Sequence, residues 1–281
     1  MSPQQVVSVP GMAWPCLELS GPKLARALEA LVTGAEEQGG IERYVAALRL
    51  KSDIFQAAFA PGREPGLNEL RPLIAHLATV RRRAGPYLAP PRDAELRARI
   101  ARLIEGRANT STADQRIAEF CGGFPQDREH RWVRDLAAEI LHNVDPERYP
   151  LMCRWVWDAK ANSGVIREIW HAEDADRILI DVPDRYDTFV VLREELAQYL
   201  AKNGFFRDVI HYVDLLTAQV YAGYINEQGD SYLRTDFASP QDPLLHTRRL
   251  LGLDGTGPGG RTRLKAVDGT ACVVDDVKQI N

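Results

Sequence analysis

A chain of 281 residues, 45% hydrophobic and 26% charged, has the composition of a globular protein with ample apolar material for a core, which excludes disordered, collagen-like and low-complexity classes. A net charge of −4 with a pI near 5.9 argues against a dedicated nucleic-acid binder. A mean hydropathy of −0.28, with no apolar run near the ~18 residues of a membrane span, implies a soluble protein.

Residues 1–21 show neither a basic leader nor a long apolar stretch, so no secretory signal is expected. Cys16, Cys121, Cys153 and Cys272 are scattered without a CxxC pair, the pattern of reduced thiols in a cytoplasm.

In chain order, residues 1–18 read as a proline-punctuated arm. Ser20 then offers a helix cap with Pro22 in the first turn, and Leu24, Leu28, Leu31 and Val32 follow at helical spacing until Gly39-Gly40. A second helix is expected over 41–59, with Tyr44, Val45, Leu48 and Phe55, and a third over 68–83 with Leu70, Leu73, Ile74 and Leu77. These three define an N-terminal helical subdomain, 19–86, bounded by the stiff connector 87–91.

The main helical domain is expected over 92–252. Its helices are 93–107, a shorter one from the cap at Thr110–Thr112 to Phe120, then 126–142, a helix carrying Trp155 and Trp157, 165–171, 187–202, 205–226 and 243–251. Residues 177–182, short and β-branched before Pro183, read as a central strand. Residues 253–281 form a glycine-rich tail in which 264–267 and 271–274, joined by Asp268-Gly269, read as a β-hairpin. The fold class is therefore mostly all-α: a multi-helix, bundle-like domain with a short central strand and a C-terminal β-hairpin.

The segment 205–226 has the widest apolar stripe, including Phe206, Val209, Ile210, Val213, Leu216 and Val220, as expected of a central helix contacted on several sides. His211 and Asp214, three apart, are expected to share a face of it and pair.

Three features suggest chemistry. Glu139/His142 and Glu168/His171 are two Glu-x-x-His motifs, each placing a carboxylate and an imidazole on one helical face, as in bundle-type iron or manganese centres. They are candidate ligands for iron, manganese or zinc, although Pro146, Pro150 and Gly164 break the interval into pieces too short for long bundle helices. From Arg71 to Arg107, nine arginines face three acids, a local excess of six positive charges; Arg81, Arg82 and Arg83 are its densest run and candidate partner contacts. Trp155 and Trp157 are further partner-contact candidates, because side chains two apart on a helix diverge by about 200° and cannot both face one core.

The chain lacks the GxGxxG and GxxxxGK[ST] phosphate loops, the GxSxG elbow and HExxH. The reading that follows is a non-catalytic, helical protein-binding protein without a cofactor, an accessory factor in assembly, maturation or regulation. Its expected partner is another protein with an acidic surface, with self-association left open and no membrane role. A metal-dependent enzyme or sensor built on the Glu/His motifs is the first alternative. Nucleic-acid binding through the arginine stretch is the second.

Overall fold

The computed structural model of the protein describes residues 15–171, 178–232 and 244–253. Over these residues the chain is mostly helical. Its helices are α1 (Gly21–Glu36), α2 (Glu42–Ala58), α3 (Leu67–Ala75), α4 (Arg92–Ile104), α5 (Ala113–Gly122), α6 (Trp132–Val144), α7 (Val165–Glu168), α8 (Tyr186–Lys202), α9 (Val209–Tyr232) and α10 (Leu245–Leu250).

The expected central helix is central. α9 packs against α1, α2, α7, α8 and α10, and α2 also lies on α6, which in turn meets α4 and α5. Leu215, Leu216, Ala218 and Ala222 of α9 are buried, as a helix enclosed on several sides requires. Helices before and after the 87–91 connector share one continuous apolar core, in which Leu31, Phe55, Ile74, Leu136, Leu196 and Leu216 are completely buried. No helix among the described residues is long and apolar enough to cross a membrane.

Several elements depart from the sequence reading, each for a local reason. Residues 178–182 form no strand. Their backbone groups are taken by side chains instead: Ile178 O accepts from Asn162 Nδ2 and an Arg167 guanidinium nitrogen, Ile180 N–H donates to Asn162 Oδ1, and Val182 O accepts from Trp157 Nε1 at 2.8 Å. A β-branched run without a neighbouring strand has no ladder to join. Among the described residues the only extended pairings are isolated bridges, Leu19 with Trp170 and Asp158 with Ser163. The expected hairpin at 264–274 lies outside the described residues.

Trp155 and Trp157 are not on a helix. Residues 154–156 form a turn, and Val165 and Ile166 at the start of α7 donate to the carbonyls of Trp155 and Val156. That approach is close: a Cβ on Gly164 would fall 2.7 Å from Val156 O, so only glycine fits, at φ +121°. The helical premise for separating the two indoles therefore fails. Both are buried, Trp155 against Tyr221 of α9 and Trp157 beneath residue 182.

The third helix stops at Ala75 rather than near 83. Beyond it the chain turns through i→i+3 bonds, and Arg81 folds back to donate to Ala75 O. Phe206, counted in the apolar stripe, precedes α9 and is 74% exposed, because Asp208 at φ +51° turns the chain just before the helix begins.

Candidate functional site

α6 is buried along most of its length, and its polar residues are buried with it. Burying an ionised side chain is costly unless it is paired and hydrogen-bonded, and each of these has partners. Glu139 receives Lys51 Nζ of α2 at 3.5 Å on one oxygen and Thr79 Oγ1 at 3.3 Å on the other. Lys51 Nζ also donates to Leu251 O at the end of α10, at 3.0 Å. His142, one turn after Glu139, sits with Nδ1 2.8 Å from Tyr149 O and Nε2 3.0 Å from Asp214 Oδ2 on α9.

A carbonyl oxygen only accepts, so Nδ1 of His142 carries a proton. Burial alone disfavours the imidazolium, but the charge of Asp214, its hydrogen bond and the Tyr149 carbonyl together hold the His142 pKa above its ordinary value. That shift favours an imidazolium opposite Asp214. Glu139 is raised by burial, against the opposing charge of Lys51. The cavity beside these residues is about 10 Å³, room for roughly one water.

The Glu-x-x-His candidates are thus placed in different settings. Glu139 and His142 are core residues, and both ring nitrogens of His142 are already engaged. Glu168 ends the single turn of α7, half-buried, while His171 is exposed and its backbone N–H donates to Glu18 O. Among the described residues no group of three or more His, Cys, Asp or Glu side chains could hold a metal ion. The expected His211–Asp214 pair is replaced by His142–Asp214, and Nδ1 of His211 is buried with no hydrogen-bond partner.

The arginine stretch divides between structural and surface roles. Arg81 is only 5% exposed, whereas Arg82 and Arg83 are on the surface, the latter donating to Glu129 O. Arg71 binds Leu88 O, Arg92 stacks over Tyr87, and Arg99 lies over Phe124 while bonding Glu95. The C-terminal part of the stretch opens onto a groove of about 780 Å³ between the 59–65 turn and α4. Arg97, Arg102 and Arg107 line one side and Arg63 the other, above an apolar floor that includes Phe59 and Ile104.

A second groove, of about 660 Å³, lies between residues 121–134 and the turn 154–161. It is lined by Arg128, Arg131, Arg134, Arg154 and Lys160, with Phe124 and Val133 beneath. Cys121 also lines it, but burial pushes its thiol up to about 11, so it is a neutral group there and not a nucleophile.

Sequence reasoning missed this second groove because its cations come from two segments with unremarkable local charge. It missed the buried quartet for a related reason. Its members come from three helices, and the sequence alone assigns Glu139 with His142 to a metal motif, Asp214 to His211, and Lys51 to no role. The available signal was position: Lys51 lies between Leu48 and Phe55, and Glu139 is flanked by Leu136, Ala137, Ala138, Ile140 and Leu141. Comparison with protein-family models, curated proteins and solved structures gives no match to this chain.

Proposed function

We propose that the protein is a non-catalytic helical binding protein that holds an acidic segment of another protein in the groove between the 59–65 turn and α4. The observation that supports this reading is the meeting of Arg63 with Arg97, Arg102 and Arg107 in one groove of about 780 Å³. Arg63 and Arg97 are ion-paired with Glu69 and Asp93, and Glu64 and Glu105 also line the groove, so its free cations are Arg102 and Arg107.

Arg102 is exposed, and both it and Arg107 make no ion pair with any described residue, so their forked donors are available to carboxylates. The apolar floor suits leucine-sized side chains between the acids. Such a site favours an accessory role in assembly, maturation or regulation. Cys16, Cys121 and Cys153 are unpaired, which suits a reducing compartment such as the cytoplasm.

The test is fluorescence anisotropy with a labelled peptide of alternating glutamates and leucines, and a lysine-for-glutamate version as control. The acidic peptide should bind saturably, and Arg102→Glu with Arg107→Glu should weaken it at least tenfold, about 1.4 kcal/mol. Binding that is indifferent to the reversal, or no binding at all, refutes the proposal.

A further inference from the structure

We infer that the second groove, between residues 121–134 and the turn 154–161, is a binding site for an organic phosphate: a small molecule with a phosphate monoester and an apolar body. The inference is independent of the acidic-segment groove and uses different residues.

Five cationic side chains converge on this groove from two parts of the chain, Arg128, Arg131 and Arg134 on one side and Arg154 and Lys160 on the other. The acids nearby act mainly as anchors. Asp158, nearly buried, holds Arg131 at 2.7 Å, and buried Asp135 receives both the backbone N–H and a guanidinium nitrogen of Arg154. Asp184 holds Arg134 at 2.9 Å. Oδ1 of Asp127 is spent on the turn Arg128–His130, accepting from the backbone of Glu129 and His130 and meeting the His130 ring at 2.7 Å.

Arg131, Arg134 and Arg154 are therefore fixed by carboxylates that occupy only part of each fork. Donors held in place in this way bind an oxyanion without first having to be ordered. Arg128 and Lys160 are exposed and make no ion pair with any described residue, so the rim carries two cations free to meet an anion, beside the carboxylate of Asp127. A tetrahedral dianion matches this donor set better than a single carboxylate, since several forks can share its oxygens.

The floor supplies the second half of the ligand. Buried Phe124 and Val133 line the groove together with exposed Pro125, and Phe124 belongs to an aromatic cluster with Tyr87, Phe120 and Trp132. A volume of about 660 Å³ falls within the ~300–1,000 Å³ of small-molecule pockets.

The test is calorimetric titration of the full chain with phenyl phosphate, with inorganic phosphate and phenol as partial ligands. Phenyl phosphate should bind saturably and more tightly than inorganic phosphate, and phenol should not bind. Arg128→Gln with Lys160→Gln, both at exposed positions, should weaken binding at least fivefold with an unchanged melting midpoint. Arg131→Gln should weaken it similarly, and Arg102→Gln in the other groove should leave it unaltered. The inference is overturned if phenyl phosphate does not saturate, if binding survives the Arg128/Lys160 double substitution, or if Arg102→Gln lowers it equally.

Discussion

His142 and Asp214 meet at 3.0 Å between Nε2 and Oδ2, and by that contact join α6 to α9 inside the core across 72 residues of sequence. A cation and an anion in such a place are stable only as a pair, and the protonation of the pair is therefore linked to folding.

The first prediction concerns pH. The folded-state pKa of His142 is raised, so the group contributes stability that is fully present below its unfolded value, near 6.5, and is lost as pH rises through the folded value. His142→Gln with Asp214→Asn removes both titrating partners together and leaves no lone buried charge. The wild-type advantage in unfolding free energy over this double variant should be largest near pH 5–6 and shrink toward pH 9. A difference that is flat across this range would contradict the imidazolium–carboxylate assignment.

Lys51 offers a separate check on buried charge. Lys51→Met leaves Glu139 in the core without its cation and should cost about 3–5 kcal/mol in urea unfolding. Adding Glu139→Gln should recover much of that loss, because the uncompensated charge is then gone. A cost below about 1 kcal/mol for Lys51→Met would mean that the 3.5 Å contact carries little.

Leu216 is completely buried in α9, against neighbours from several helices. Leu216→Ala should cost about 2–5 kcal/mol, since a cavity remains where the side chain stood. An unchanged thermal midpoint would refute the central placement of this helix.

Adjacent arginines should behave differently. Arg81 is buried and bonded to Ala75 O, so Arg81→Glu should visibly destabilise the protein by placing a carboxylate against a carbonyl in the core. Arg82 is exposed, and Arg82→Glu should stay within about ±0.5 kcal/mol. Equal effects at the two positions would contradict this division of the arginine run.

The amphipathic helices were legible in the sequence where one face alone decides the outcome. The stripe Leu96, Ile100, Leu103 and Ile104 yields α4, and Leu24, Leu28 and Leu31 yield α1, because period and breakers act locally. What was not legible depends on tertiary partners. Residues 178–182 have strand-like side chains but meet Asn162, Arg167 and Trp157 instead of another strand. Trp155 and Trp157 avoid the helical divergence because Gly164 brings the start of α7 onto their carbonyls. The Glu139–His142 motif was visible as a pair, but its partners Lys51 and Asp214 lie on other helices, and no local pattern announces them. The arginine excess was visible as well, whereas which arginines turn inward, as Arg81 does, follows from the turn after α3.

The central claim, that the groove beside α4 receives an acidic segment, is tested most directly by mapping that peptide onto the protein through backbone amide shifts. On titration of the glutamate–leucine peptide, the account predicts saturating shifts at Arg97, Ala98, Ala101 and Arg102 and around Arg63, with Arg131 and Lys160 unmoved. It predicts that these shifts vanish in the Arg102→Glu, Arg107→Glu variant. Shifts that concentrate elsewhere on the protein, or that persist in that variant, would contradict it.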